Sequence, residues 1–272
     1  MKAQTLAVCI PGNVCNRKCP YCVSKMTWAP PENSLLWRGN LSLAKAFAER
    51  AGIMDVIITG KGEPTMWFDE VVRVASEFSL FPIVLQTNGI TLSRSLSLIK
   101  QLLCIDVFAV SVDYPEQFVS ALAPLWDAVN QKGKITRATV LLTAEVMEKS
   151  FEWWISTAQI LGVRQLSFRK VTIPCNYVIT PEAEKTASWI RANIDPDQVV
   201  NWVDNYQKVL CDYVVVRRLS YGARVRDVGG VAVTFFEYCV QDSNGEDDIR
   251  SLIYNQDGHL YTTWNSPASM IF

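Results

Sequence analysis

Short apolar runs alternate along most of this chain with segments whose apolar residues recur every three or four positions. Runs of the kind a parallel sheet buries on both faces fall at 6–10, 56–58, 83–85, 107–112, 139–142 and 166–171. Between them, helical spacing places Ala44, Phe47, Ala48 and Ala51 on one face, then Val71, Val74, Ala75 and Phe78, then Leu92, Leu96, Ile99 and Leu102. The same period continues through Phe118, Leu122, Leu125, Trp126 and Val129, through Met147, Phe151, Trp154, Ile155 and Ala158, and through Ala183, Ala187, Ile190 and Ile194. Regular alternation of strand and helix predicts parallel strands joined by right-handed crossovers, in an α/β barrel or an open doubly wound sheet. Beyond residue 195 the rhythm changes. The stretch 199–210 reads as a helix, and 213–219, 230–238, 249–254 and 260–264 read as strands around the turn signal Asp257-Gly258. The expected organisation is a core over 1–195 and a C-terminal extension over 196–272 that contains antiparallel strands and covers the open side of the core.

Composition narrows the class of protein. The 272 residues are 49% apolar, enough for one large buried core. A net charge of −1 gives no global electrostatic reason to expect nucleic acid as a partner. The apolar stretch near the N-terminus is broken by Pro11 and Gly12, and no apolar run approaches the roughly 18 to 20 residues that span a bilayer. A cytoplasmic protein without a membrane segment is expected, in a compartment where thiols stay reduced.

The densest chemistry is Cys15, Cys19 and Cys22 in the run Cys-Asn-Arg-Lys-Cys-Pro-Tyr-Cys. A structural zinc site wants four closed ligands, but no second cysteine pair lies nearby and the single histidine, His259, is far downstream. Three thiols in one short loop cannot pair evenly as disulfides. They can wrap one face of an iron-sulfur cube and leave its fourth iron open for a substrate or cofactor. A pure electron-transfer cluster would ordinarily have a fourth cysteine close by; that reading, and a zinc-stabilised binding module, are the non-catalytic alternatives.

Other residues carry candidate roles. Gly60, Gly62, Glu63 and Pro64 form a tight turn after the second run, whose backbone a ligand can approach without side chains in the way. Ser111 and Asp113 close the fourth run, two residues apart and so on one face, suited to gripping a ribose diol or forming an ordinary strand end. Asn88, in Thr87-Asn88-Gly89, either bonds a ligand or holds its own turn. Arg169 and Lys170 end the sixth run, where one of them faces inward and is able to neutralise an anion. Arg217, Arg218, Arg224 and Arg226 form an anion-binding candidate or a solvated face paired with Asp227 and the acidic loop at 245–248. Cys9 and Cys104 read as small core residues. Cys175 follows the sixth run on the same rim and is a candidate hydrogen-atom donor, or joins Cys211 and Cys239 in an auxiliary cluster. His259 falls in a turn, where an exposed imidazole is expected.

The cysteine run, with Tyr21 before its last thiol, resembles the CxxxCx(aromatic)C signature of the radical S-adenosylmethionine (radical SAM) superfamily. Thr59-Gly60-Lys61-Gly62-Glu63-Pro64 resembles that family's Gly-Gly-Glu-Pro segment, and Gln86-Thr87-Asn88-Gly89 and Ser111-Val112-Asp113 follow at further strand ends. The resemblance implies a partial (β/α)6 barrel with all four segments on its C-terminal rim. It implies a 4Fe-4S cluster on Cys15, Cys19 and Cys22, with the amino and carboxylate groups of S-adenosylmethionine (SAM) on the fourth iron. It further implies a reduced electron donor such as flavodoxin or ferredoxin, and a 5′-deoxyadenosyl radical that abstracts hydrogen from an organic substrate. Tyr21, the Gly60–Pro64 turn, Asn88, Ser111 and Asp113 are the cofactor-binding candidates, and Cys175, Arg169 and Lys170 the catalytic ones. Two departures stand out: Lys61 occupies the first glycine position, and Gln86 stands where some relatives carry an acid, so no charged role transfers to it. The arginines favour an anionic small molecule or nucleotide, a phosphorylated one among them; the alternative is a peptide or a protein glycyl site, as for activases.

Overall fold

A computed structural model describes residues 2–174, 177–219, 223–236 and 248–272. Cys175, Cys239 and residues 245–247 of the acidic loop lie outside the described residues. Six strands and their crossovers follow the expected alternation: β1 (Lys2–Ile10), α1 (Ser34–Ala51), β2 (Asp55–Gly60), α2 (Phe68–Glu77), β3 (Ile83–Thr87), α3 (Ile90–Arg94) and β4 (Val107–Val112). There follow α4 (Ala123–Asn130), β5 (Ile135–Leu142), α5 (Ala144–Met147), α6 (Phe151–Ile160) and β6 (Gln165–Lys170). The chain ends with α7 (Pro181–Asn193), α8 (Pro196–Leu210), β7 (Val215–Arg218), β8 (Arg224–Val228), β9 (Val231–Phe236), β10 (Asp248–Tyr254) and β11 (Leu260–Tyr261).

Among the described residues the strands form one sheet in the order β11-β10-β1-β2-β3-β4-β5-β6-β9-β8-β7. Strands β1 to β6 are parallel in sequence order, the arrangement of a partial (β/α)6 barrel. The C-terminal strands extend both edges: β10 joins β1 and β9 joins β6, each in parallel, while β11 and the β7-β8 hairpin pair antiparallel outside them.

Strand alternation sorts side chains into two environments. One face packs on the helices, where Leu6, Val8, Ile58, Leu85, Phe108, Val110, Ala138, Val140, Leu166 and Phe168 join the main core. Burying each large side chain there stabilises by roughly 1.5–3 kcal/mol. Phe168 anchors an aromatic group with Phe151, Trp202 and Tyr206 that ties α8 to β6. The opposite face lines the lumen, with a small apolar floor of Val84, Val107, Ala109 and Ile57.

Helix boundaries follow local chemistry. Asn33 caps α1 by accepting from the Leu36 amide at 3.1 Å, and Thr180 and Asp195 cap α7 and α8, each followed by proline in the first turn. Several expected single helices are split. The 92–102 run breaks at Ser95 into α3 and a 3-10 turn, Leu96–Gln101. The 118–129 run begins as a π turn, Gln117–Ala121, and resets at Ala123-Pro124, because proline has no amide to continue the ladder. The 147–158 run restarts where Ser150 caps α6.

Other expectations need correction. The early break leaves Cys104, expected in the core, exposed. His259 is half-buried rather than exposed, with an inaccessible Nδ1 that has no partner among the described residues. The arginine segment contains an unexpected strand, β8, which sets Arg218 opposite Arg224, while Arg226 hydrogen-bonds the Leu210 carbonyl at the end of α8.

Candidate active site

The loop after β1 carries the three thiols, with a single short helical turn at Val23–Lys25. Cys15 is exposed; Cys19 and Cys22 are half-buried. The Cys15 sulfur accepts from the Arg17 amide at 3.4 Å and from Asn88 Nδ2 at 3.8 Å. Cys19 Sγ lies 4.0 Å from Asp113 Oδ2. Burial pushes the Cys19 thiol up to about 11, reinforced by the charges of Asp113, Cys22 and Cys15, so the three thiols share one electrostatic neighbourhood. A bound cation reverses that balance, since metal coordination favours the thiolate.

The turn after β2 is fixed against this loop. The Glu63 amide donates to the Val14 carbonyl at 2.9 Å. A Cβ on Gly62 would stand 2.1 Å from that carbonyl oxygen, so only glycine permits the approach. The Glu63 side chain, 3% exposed, points inward. Its Oε1 accepts from the Thr65 amide (3.0 Å), the Thr65 hydroxyl (2.5 Å) and the Thr87 hydroxyl (2.6 Å), and its Oε2 from the Asn88 amide (2.7 Å). Four donors on a buried carboxylate staple the ends of β2 and β3 together. Pro64 is buried beside it, and Gly60 ends β2 next to Ile10.

Asn88 links the staple to the thiol loop. Its Nδ2 donates to Asn16 Oδ1 at 2.7 Å and its Oδ1 accepts from the Ile90 amide at 3.0 Å, while Gly89 at φ 77° turns the chain into α3. At the end of β4, Asp113 is 5% exposed and pairs with Arg17 of the thiol loop; the Tyr21 phenol interacts with the same carboxylate. Burial raises the Asp113 carboxyl, and Arg17 works against that shift. Burial also raises the Tyr21 phenol, and its ring packs 5.3 Å from Trp189 of α7. Ser111 stays half-buried on the same strand face. Lys61 turns its ammonium to Thr27 Oγ1 at 2.7 Å, back onto the thiol loop.

The structure thus brings Cys15, Cys19, Cys22, Tyr21, Gly60, Gly62, Glu63, Pro64, Asn88, Ser111 and Asp113 to the C-terminal rim. Arg169 stands on the lumen face of β6, in register with Leu141 and Phe236, and lies over the Phe236 ring. Lys170 takes the other face, 5.7 Å over the Phe235 ring. Residue-type reasoning passed over Arg17 and Asn16, whose partners lie 96 and 72 positions away. Only the signal of a cationic residue between the cysteines was available.

Among the described residues no three His, Cys, Asp or Glu side chains converge on one point as a single zinc ion requires. A cubane takes each thiolate on a different iron, and N–H donors to sulfur, as at Cys15, tune such clusters. Three thiols on one loop, with N–H donors to the Cys15 sulfur, are the donor chemistry a three-thiolate cube takes. Parallel strands whose C-terminal ends carry a thiol loop, a stapled glycine turn and a buried acid define an α/β-barrel protein with these groups gathered on its rim. The family model described as the Radical SAM superfamily matches residues 9–171, and the chain belongs to that superfamily of enzymes, which use a 4Fe-4S cluster and SAM. Streptococcus suis SuiB has a similar fold, at TM-score 0.62 and 13% identity, over 96% of this chain and 60% of that one. SuiB bound to precursor peptide SuiA, also from Streptococcus suis, gives TM-score 0.58 and 12% identity over 96% and 59%. This chain spans about six-tenths of the length of those structures. No curated protein matches it by sequence. Among the described residues no helix is long and apolar enough to cross a membrane.

Proposed function

We propose that this chain is a radical SAM enzyme in which Cys15, Cys19 and Cys22 hold the cluster. The observation that carries this reading is the convergence of thiol loop, Gly62-Glu63 turn, Asn88 and Asp113 on one rim, joined by the Glu63–Val14 backbone bond. When bound and reduced by a donor such as flavodoxin or ferredoxin, the cluster and SAM supply methionine and a 5′-deoxyadenosyl radical, which takes hydrogen from an organic substrate. The protein's part is positional. The Gly60–Pro64 turn offers its backbone to the SAM ammonium, and the inward Glu63 staple keeps it in place. Asn88 and the Arg17 amide bond the Cys15 sulfur. Asp113 anchors the loop through Arg17 and Tyr21, which leaves Ser111 as the ribose contact on that strand end. Arg169 faces the lumen and serves the substrate; Lys170 does not face it.

Residues 1–195 form the catalytic core in this reading, and 196–272 flank the barrel opening. The favoured substrate is an anionic organic molecule that enters the lumen. A peptide substrate is the second reading, supported by the precursor peptide bound to SuiB, whose fold is similar. The test is anaerobic reconstitution with iron and sulfide, reduction, and addition of SAM. The expected result is 5′-deoxyadenosine; its absence from fully loaded protein would refute the proposal.

A further inference from the structure

The lumen wall formed by β5, β6 and β9 carries polar groups that the rim chemistry does not use. Ala109, Arg137, Gln165 and Ala232 stand in register across β4, β5, β6 and β9, and the next lumen rung is Ser111, Thr139, Ser167 and Thr234. Arg169 follows Ser167 by two residues, about 7 Å nearer the rim. The helix-facing neighbours Ala138, Val140, Leu166 and Phe168 are wholly buried, whereas Arg137, Thr139, Gln165, Arg169 and Thr234 keep some solvent access. The Ser167 and Thr234 hydroxyl oxygens themselves are enclosed.

Two features call for a ligand. Ser167 is 2% exposed, yet its Oγ has no hydrogen-bond partner among the described residues, and neither has Thr234 Oγ1 beside it. A buried hydroxyl left unpaired is destabilising, and a bound acceptor would recover that cost. Arg137 is oriented by its Nε donating to Gln165 Oε1 at 2.7 Å. Burial, reinforced by the like charge of Arg169, pulls this guanidinium down to about 10, and Arg217 of β7 adds to the same field. Asp55 of β2 opposes the shift, and burial raises its own carboxyl. Guanidinium groups beside hydroxyl donors match an oxyanion in charge and in hydrogen-bond sense.

We propose that Arg137, Ser167, Arg169 and Thr234 bind an oxyanion of the substrate, a carboxylate or a phosphate, inside the barrel below the rim. This deepens the functional reading above and rests on it, because radical formation at the rim is what makes the lumen the substrate's seat.

The test uses the reconstituted protein saturated with SAM, titrated calorimetrically with inorganic phosphate and, separately, with glutarate. Saturable one-to-one binding of at least one probe is expected, and which one binds reports the kind of oxyanion. Arg137→Gln and Ser167→Ala should each weaken that binding tenfold or more while leaving SAM affinity within twofold. Ser167→Ala removes a single unpaired hydroxyl, so it keeps the test valid if Arg137→Gln misfolds. Binding of neither probe, or equal binding by wild type and Ser167→Ala, would overturn the proposal. A parallel loss of SAM affinity would assign the site to the SAM carboxylate and overturn it as well. SAM cleavage assayed on the same preparation separates the two ideas: protein that binds the probe in the lumen but yields no 5′-deoxyadenosine refutes the rim's role, not the oxyanion site.

Discussion

The rim between β2 and β4 and the lumen wall between β5 and β9 are both polar, yet they handle polarity in opposite ways. At the rim three buried side chains are spent on other parts of the protein: Glu63 takes four donors, Asn88 holds Asn16, and Asp113 holds Arg17. In the lumen wall the Ser167 and Thr234 hydroxyls have no partner among the described residues. A saturated network fixes geometry before any ligand arrives; an unsaturated one stores binding capacity at a cost in stability. The rim is accordingly a scaffold that presents sulfur and backbone, and the wall is a receptor.

The comparison breaks most completely at the thiols. Cys19→Ala should lower iron content from about four per chain, remove absorbance near 400 nm and reduce 5′-deoxyadenosine to background. Glu63→Gln is nearly isosteric but places an amide donor against a backbone or hydroxyl donor. It should cost about 3 kcal/mol in urea unfolding of the apoprotein. Gly62→Ala drives a methyl against the Val14 carbonyl, a backbone atom that cannot swing aside, for a cost of about 1–3 kcal/mol and poorer iron retention on gel filtration. Asn88→Ala frees the Asn16 contact and one α3 amide, about 1 kcal/mol, seen as a modest drop in Tm. Ser167→Ala sharpens the contrast from the other side. Deleting an unpaired buried hydroxyl should leave stability within about 0.5 kcal/mol of wild type or raise it, although oxyanion binding falls.

Much of the rim was legible before the fold was seen, because its chemistry lies in short contiguous segments. Cys15, Cys19 and Cys22 declare themselves by spacing, Gly60 to Pro64 by turn chemistry, and the six core strands by apolar runs with helical spacing between them. What stayed hidden depends on distance along the chain or on competing local signals. The Arg17–Asp113 pair joins residues 96 apart, and the inward turn of Glu63 depends on Thr87 and Asn88 arriving from the next strand. Arg137 lies just before the 139–142 run and carries no local signal of its own, whereas strand register turns it into the lumen. The β8 strand was obscured by its own arginines, and Cys104 by a helical period that Ser95 interrupts. The parallel docking of β9 and β10 on opposite edges has no local signature at all.

The central claim is that three thiolates on one rim hold a cube with an open corner for SAM. It is tested most directly by electron paramagnetic resonance of the reduced, iron-loaded protein with and without SAM. The account predicts about four irons per chain and a cluster signal whose g-values shift when SAM is added, in wild type but not in Cys19→Ala. A fully loaded cluster whose signal ignores saturating SAM would contradict it.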